Sequence, residues 1–346
     1  MELVYYRDPI GNFGDDLNSF IWEKLLPPKI FNADSTLLMG IGSIFNIHLA
    51  PLSRTKGKRV FVIGSGAGYG PLPPLWETWN ILGVRGPLTA ELIGRPELAI
   101  TDSAALLALL PGIRTSRPAG DSILLMPHHN SISRGNWQRV AAQAGMTFID
   151  PRWPVAKVIN HFSHARLVIT EAMHGAIVAD TLRIPWQPIT IAPDALRFKW
   201  MDWALSLDLK YEPVRISPSS AWELLFHKDL IRRARRHGIT APAMARDINT
   251  KASLIADFKL RYSQPPEENM PGDHENKEAR EIPPRRWQWL LRSALSVFDR
   301  PFIDSAAQQL RELAALRKPC LSQDHIFSRR LDQLQGAVDQ FVRAVG

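Results

Sequence analysis

Short apolar runs that end in glycine or small polar residues recur along the first two thirds of the chain, and this recurrence most limits its fold. Such runs predict buried strands, and the helical spacing after most of them predicts returning helices. Alternating strands and helices indicate a doubly wound parallel sheet, with a ligand site at the carboxyl ends of its strands. The predicted strands cover 3–6, 36–42, 59–63, 80–84, 98–101, 122–126, 146–149, 167–169 and 187–191.

The predicted elements fall into two series, separated at 111–120 by residues rich in proline, glycine and serine. Such a composition is typical of a linker. We therefore expect an α/β fold with two Rossmann-like domains, 1–115 and 121–216, that face a cleft, a common place for ligands. A helical extension at 217–263, a mobile loop at 264–284 that is rich in proline, glutamate, asparagine and glycine, and C-terminal helices at 285–346 complete the expected organisation.

Composition excludes several classes of protein. The one cysteine, Cys320, rules out a disulfide framework and favours a reducing, cytoplasmic compartment. The sequence contains no C-x-x-C or H-E-x-x-H pattern, so we expect no metal site. It also shows no cleavable leader and no long apolar run, so we expect no membrane span. The net charge of +8 fits an anionic partner without distinguishing a phosphorylated substrate, a lipid surface or nucleic acid.

His174 is the first candidate site residue, because it lies where the apolar run 167–169 turns into a predicted helix from Gly175. A turn of this kind presents backbone N–H groups and a partial positive charge to a ligand. The alternative is a histidine that merely caps the helix or satisfies a hydrogen bond in the core. Glu171 stands close enough in sequence to orient its ring.

Other strand ends carry further candidates. Asp15 and Asp16 follow a turn of glycine and asparagine, and the one nearer the predicted helix at 17–26, Asp16, is the more natural cap. Arg85 ends a strand and could hold an anion or form a salt bridge between the domains. Asp102 could bind a ligand or cap a helix. Gly66 and Gly68 also follow a strand, and they could let an anion approach the backbone or simply form turns. His128 and His129 follow another strand, and they could bind phosphate or lie in a solvated loop.

Four motifs occur in a fixed order: 11–16 (GNFGDD), 85–90 (RGPLTA), 101–104 (TDSA) and 173–180 (MHGAIVAD). In this order they resemble the polysaccharide pyruvyltransferase family, and most of all the branch that adds pyruvyl ketals to succinoglycan-type exopolysaccharides. The resemblance covers about residues 1–210. Many members carry an arginine two residues before the histidine, where this chain has Ala172. Arg85 is the natural substitute cation.

The resemblance implies a GT-B-like fold and phosphoenolpyruvate as co-substrate, with no cofactor. The enzyme would transfer pyruvate to a sugar diol of a lipid-linked oligosaccharide and release phosphate. His174, Asp15 and Asp16 would then supply the general acid and base. Arg85, His128, His129, Gly66, Gly68 and Glu171 would bind the donor, and Asp102 and Asn12 the acceptor.

A lipid-linked acceptor also implies peripheral contact with the inner membrane, and we expect no nucleic-acid partner. The basic stretch 232–237 and the stretch 285–292, which contains two tryptophans, would suit an interfacial helix. Alternatively, both stretches pack their aromatic residues inward and solvate their arginines. Two other functions stay open: a GT-B glycosyltransferase with a nucleotide-sugar donor, and a non-catalytic sugar- or nucleotide-binding protein that recruits partners through its helical tail.

Overall fold

A computed structural model describes residues 1–113, 120–193, 195–236, 250–262, 292–316 and 318–346. The predicted loop at 264–284, residues 285–291 and most of the predicted linker lie outside these ranges. The described strands form two sheets, and every pairing within them is parallel. The α/β prediction is therefore confirmed.

The first sheet adds its four strands in chain order, β1-β2-β3-β4, so the doubly wound prediction is wrong for this half. Right-handed crossovers that always add the next strand at the same edge produce this order. The predicted strand at 98–101 is also wrong, because Pro96–Leu98 forms a 3₁₀ turn and Ala99 makes only an isolated bridge to Val84. The elements are β1 (Glu2–Val4), α1 (Phe13–Leu25), β2 (Thr36–Met39), α2 (Leu52–Thr55), β3 (Arg59–Ser65), β4 (Asn80–Val84) and α3 (Pro87–Leu92).

The second sheet has the order β6-β5-β7-β8-β9, which reverses between β5 and β7. A reversal of this kind leaves a crevice outside the carboxyl ends of the two strands, where open α/β sheets bind ligands. The elements are β5 (Ser122–Met126), α4 (His129–Arg134), α5 (Trp137–Ala144), β6 (Thr147–Phe148), α6 (Val155–Phe162), β7 (Ala165–Thr170), α7 (Met173–Thr181), β8 (Trp186–Thr190), α8 (Arg197–Ser206) and β9 (Val214–Arg215).

The last part of the chain contains α9 (Ala221–Arg236), α10 (Lys251–Tyr262), α11 (Asp299–Leu316) and α12 (Asp324–Val345). Helix α11 buries its apolar face against α5, with Leu310 in the same core as Trp137. Helix α12 returns to the first sheet, where the ring of Phe341 lies 5.0 Å from that of Phe61. The C-terminal helices are therefore divided between the two sheets, because each has an apolar face to bury. None of the described helices combines the length and apolarity needed to cross a membrane.

One hydrophobic core runs from the first half into the second. Phe13 at the start of α1 packs against Phe162 of α6, with 6.3 Å between ring centroids, and its N–H donates to the carbonyl of Pro151 at 2.7 Å. The start of α1, which carries the GNFGDD motif, is thereby held against the second half.

A fully buried ion pair also joins the halves. Nε of Arg85, just after β4, donates to Oδ2 of Asp202 in α8 at 3.0 Å, and both side chains are inaccessible to solvent. Oδ1 of Asp202 accepts from the backbone N–H groups of Leu88 and Thr89, both at 2.9 Å. Asp202 thus satisfies the otherwise unpaired N–H groups at the start of α3 as well as the charge of Arg85.

Replacing Asp202 with alanine should lower the free energy of unfolding by about 3–5 kcal/mol, because it leaves a buried guanidinium without its counter-charge. Urea denaturation measures this change. Asp324→Ala is the control, since it removes an ion pair to Arg183 whose carboxylate is 92% exposed, and it should cost less than about 1 kcal/mol. Equal losses in the two variants would contradict the role given to Asp202.

Candidate active site

The crevice at the reversal of the second sheet is closed on its other side by the first half. The strands β5 and β7 end at Met126 and Thr170, and the segments that follow carry His128 before α4 and His174 in the first turn of α7. Opposite them lie the start of α1 and the loop that contains Asp102. The predicted meeting of candidate residues from both halves is therefore observed for Asp15, Asp102 and His174.

His174 is the second residue of α7, because the helix begins at Met173, two residues earlier than the sequence predicted. Burial, together with the positive charges of Lys199 and Arg85, lowers its pKa to about 3. The partial positive charge at the start of a helix acts in the same direction. The imidazole is therefore neutral at physiological pH, which suits it to accept a proton rather than donate one.

The first turn of α1 touches the His174 ring at Gly14. A Cβ atom on Gly14 would lie only 2.1 Å from Nδ1 of His174, so a larger residue cannot coexist with the observed ring position. Asn12 caps this helix by accepting from the Gly14 N–H at 3.2 Å. The expectation that Asp16 or Asp15 is the cap is thus wrong, because the helix begins four residues earlier than predicted.

Asp15 and Asp16 consequently lie within the first turn of α1 and have different surroundings. Burial raises the pKa of Asp15 to about 7, although the nearby charge of Lys199 opposes this shift. Oδ2 of Asp15 accepts from Nδ2 of Asn12 at 2.7 Å. Oδ2 of Asp16 accepts instead from the backbone N–H of Asn12 at 3.2 Å, which closes the cap. Asp15 is therefore the carboxyl group suited to hold a proton near neutral pH. Asn12 both caps α1 and donates a hydrogen bond to Asp15.

Asp102 is the carboxylate that faces His174. Its Oδ1 accepts from the Ala104 N–H at 2.9 Å, so Asp102 is also the cap that the sequence allowed. Its Oδ2 lies 3.9 Å from Nε2 of His174, and both atoms are buried without a hydrogen-bond partner in the part of the chain described. Burial raises the pKa of Asp102 to about 6. Two buried polar atoms that face each other unpaired indicate a place for a polar ligand atom.

Lys199 of α8 is a site residue that sequence reasoning missed. Its ammonium group bonds to the hydroxyl of Tyr69, and Gly68 leaves room for its side chain, since a Cβ there would lie 3.3 Å from Cδ of Lys199. Burial and the charge of Arg85 lower its pKa to about 7, although the charges of Asp15 and Asp102 oppose the shift. The sequence offers no signal for Lys199 beyond a lysine among the apolar residues of an amphipathic helix.

Arg85 has the alternative role that the sequence left open. Besides its ion pair with Asp202, its guanidinium donates to Oγ of Ser43 at 2.8 Å and to the carbonyl of Ala67 at 2.9 Å. Gly66 makes room for this group, because a Cβ there would lie 2.2 Å from Cζ of Arg85. Arg85 and Gly66 are therefore committed to protein contacts, and Arg85 acts on the site through its charge.

Glu171 likewise forms all its hydrogen bonds within the protein, and none of them is to His174. Oε2 accepts from the N–H of His128 and the hydroxyl of Ser131, and Oε1 accepts from the N–H groups of Ile191 and Ala192, all at 2.7–3.0 Å. Four donors leave this buried carboxylate no capacity for a ligand. Glu171 instead ties together the ends of β5, β7 and β8, which line the crevice.

His128 and His129 do not lie in the solvated loop that the sequence allowed. His128 caps α4 through a bond from the Asn130 N–H at 3.4 Å, and its ring lies 4.1 Å from that of His129. Burial lowers the pKa of His128 well below its usual value, and the charges of His129 and Lys199 contribute. His128 is therefore a neutral donor or acceptor at the rim of the same crevice.

The described side chains of histidine, cysteine, aspartate and glutamate form no group of three or more that could hold a metal ion. The crevice instead combines a carboxyl group with a pKa near 7, a neutral imidazole and a lysine. Such groups can bind an anion and move protons to and from it.

Comparisons with known proteins agree with this chemistry. The family described as polysaccharide pyruvyl transferase matches residues 4–192. The chain is 39% identical to the succinoglycan biosynthesis protein ExoV of Rhizobium meliloti (strain 1021) over 228 residues, which cover 65% of this chain and 71% of that protein. No solved structure matches the chain.

Gly14→Ala should displace the His174 ring and abolish most of the catalytic activity while the fold persists, because the added methyl overlaps only that ring and adjoining atoms. The shift of the His174 imidazole resonances in NMR spectra and the turnover rate measure the two effects. Gly336→Ala in α12 is the control, since open space surrounds that position, and it should leave both unchanged. An unaltered His174 resonance in Gly14→Ala would contradict the packing.

Proposed function

This chain belongs to the polysaccharide pyruvyl transferase family and is an enzyme of pyruvyl transfer, and we propose that it takes the pyruvyl group from phosphoenolpyruvate. The proposed acceptor is a sugar diol on a lipid-linked oligosaccharide, which becomes a cyclic pyruvyl ketal. The name of the relative in Rhizobium meliloti supports an exopolysaccharide of the succinoglycan type. We further propose a GT-B-like arrangement of the two halves and a cytoplasmic site of action, which a single cysteine fits.

The observation that carries this proposal is the convergence of Asp15, His174 and Lys199 on one crevice. Phosphoenolpyruvate bears a phosphate and a carboxylate, so its site needs a cation and N–H donors. Lys199 supplies the cation that Ala172 does not, and the start of α7 supplies the N–H groups. Lys199 has a pKa of about 7, and binding an anion beside it favours its charged form.

The first step needs a proton on the methylene carbon of the donor. Asp15 is the group that retains one near pH 7, so it acts as the general acid and leaves an oxocarbenium-like centre. A sugar hydroxyl then forms a C–O bond to this centre, and the neutral His174 takes the hydroxyl proton. Asp102, whose Oδ2 faces His174 at 3.9 Å, stabilises the imidazolium that results.

The second step breaks the bond between that carbon and the phosphate oxygen, and the second hydroxyl closes the ketal ring. Of the two hydroxyl protons, one replaces the proton that Asp15 gave to carbon and the other leaves with phosphate. The reaction therefore balances with one ketal and one inorganic phosphate as its products. Asp15 is protonated again and His174 is neutral again at the end of the cycle.

Purified protein incubated with phosphoenolpyruvate and a lipid-linked oligosaccharide that bears a free 4,6-diol should release one phosphate for each pyruvyl ketal found by mass spectrometry. His174→Ala should abolish both products. Nucleotide release from a sugar nucleotide, without phosphate release, would instead identify a glycosyltransferase. Full activity of His174→Ala would remove His174 from the catalytic groups. Release of neither phosphate nor nucleotide by the unaltered protein would support the non-catalytic binding function.

Within this assay, Lys199→Met should raise KM for phosphoenolpyruvate about 10–100-fold. This change in affinity corresponds to the loss of one charge-assisted hydrogen bond. Lys210→Met is the matched control, because Lys210 is exposed just beyond the end of α8, and its KM should match that of the unaltered enzyme. An unchanged KM in Lys199→Met would remove Lys199 from the donor site.

The pH profile of kcat/KM should pass through a maximum between about 6 and 7. Asp102 must be ionised, so the rate rises as pH passes its pKa of about 6. Asp15 must be protonated, so the rate falls as pH passes its pKa of about 7. Asp102→Asn should remove the acidic limb.

Lys199 loses its charge over the same alkaline range, and Lys199→Arg separates the two causes because arginine stays charged. An alkaline limb that persists in this variant belongs to Asp15. A limb that moves to much higher pH would assign it to Lys199 and would contradict Asp15 as the acid.

A further inference from the structure

Helix α9 has one buried face and one basic, exposed face. Its buried residues, Glu223, His227, Leu230 and Ala234, recur every three or four positions and face the protein. The opposite face exposes Leu225, Lys228, Arg232, Arg235 and Arg236. Asp229 is paired with Arg232 at 2.6 Å and with Arg233 at 2.7 Å. The positive charge of this face therefore exceeds what its own acidic residue neutralises.

The basic side chains surround an open, shallow cavity on the surface. Lys228, Ile231, Arg232, Arg235 and Arg236 line a cavity of about 440 Å³. Four cations around one apolar residue favour an anionic group that can sit among them.

Large apolar side chains are exposed beside this helix. Val297 is 78% exposed and Phe298 64%, and both belong to the 3₁₀ turn Ser296–Phe298, which packs against α9. Asp299 holds the turn in place by accepting from the Ala221 N–H at 3.0 Å and from Nδ2 of Asn136 at 2.8 Å. Val297 and Phe298 are therefore exposed on a turn that hydrogen bonds hold in place.

Helix α9 lies one short helix away from the candidate active site. Helix α4 begins beside His128 in the crevice and ends at Arg134, whose guanidinium lies 4.0 Å above the ring of Phe226 in α9. Six residues of helix span about 9 Å. An acceptor whose sugar occupies the crevice could thus have its lipid end at α9.

We propose that the face formed by Leu225, Lys228, Arg232, Arg235, Arg236, Val297 and Phe298 docks on an anionic lipid bilayer. Clustered cations attract acidic headgroups, and exposed aromatic and aliphatic side chains enter the boundary between headgroups and acyl chains. The apolar part favours lipid over nucleic acid, for which cations alone would suffice. The functional reason for docking rests on the proposed lipid-linked acceptor. The position of the docking surface rests on the geometry of α9 and of the turn Ser296–Phe298.

Co-sedimentation of the full chain with vesicles tests the docking. The unaltered protein should bind vesicles of phosphatidylcholine with phosphatidylglycerol, and should bind vesicles of phosphatidylcholine alone much more weakly. Arg235→Glu/Arg236→Glu should weaken binding at least about 30-fold, since each basic residue near a charged bilayer contributes about a fivefold change in affinity. Val297→Ser/Phe298→Ser should weaken it independently of salt.

Arg329→Glu/Arg343→Glu is the matched control, because it makes the same charge change at exposed positions of α12. This variant should bind as the unaltered protein does. Equal losses in the two double variants, or equal binding to both kinds of vesicle, would overturn the proposal. Tighter binding to a duplex oligonucleotide than to anionic vesicles at the same salt concentration would do so too.

Phosphate release with a water-soluble diol acceptor, measured without vesicles, separates this inference from the proposed function. Arg235→Glu/Arg236→Glu should match the unaltered enzyme there and lose activity only with vesicle-bound acceptor. No release by the unaltered enzyme with either acceptor would contradict the proposed function, while its vesicle binding would still test the surface. Equal activity of the variant on vesicle-bound acceptor would contradict the membrane role of α9.

Discussion

The buried ion pair between Arg85 and Asp202 is the interaction on which the arrangement of the site depends. It connects the end of β4 to α8, and α8 also carries Lys199. Three further hydrogen bonds to Asp202 come from the start of α3, so the pair is embedded in backbone contacts. A buried charge pair is costly to form and costlier to break on one side. It therefore favours a single position of α8 relative to the first sheet, and so of Lys199 relative to Asp15.

The protonation states in the crevice follow from this arrangement. Burial and the positive charges of Lys199 and Arg85 keep the pKa of His174 low, whereas burial raises the pKa of Asp15 above its usual value. Both shifts favour the neutral form of the group, so a neutral histidine and a carboxyl group that keeps its proton to about pH 7 share the crevice. In the proposed reaction, Asp15 provides the proton for the methylene carbon and His174 takes the proton of the sugar hydroxyl.

The two halves of the enzyme are also joined by the end of the chain. Cys320 exchanges two backbone hydrogen bonds with Trp186 of β8, at 2.7 and 2.9 Å, and α12 then crosses to the first sheet. Asp180 at the end of α7 accepts from the indole of Trp186 and from the backbone of Ser322, both at 2.9 Å. The C-terminal helices therefore complete the two cores and stabilise α7, the helix that carries His174.

The sequence by itself determined the α/β class and most strands and helices, and it placed Asp15, Asp102 and His174 among the candidate residues that the fold brings to one crevice. It could do so because apolar periodicity and glycine-rich strand ends are local signals. Only the tertiary structure decided that Arg85 and Glu171 form hydrogen bonds within the protein. The same is true of the capping of α1 by Asn12 and of the place of Lys199 at the site. These roles depend on which distant groups meet: Asp202 lies 117 residues from Arg85, and the chain around Lys199 contains no local pattern that reports such a meeting. The same holds for protonation, because burial and neighbouring charges shift a pKa only once the fold has brought them together.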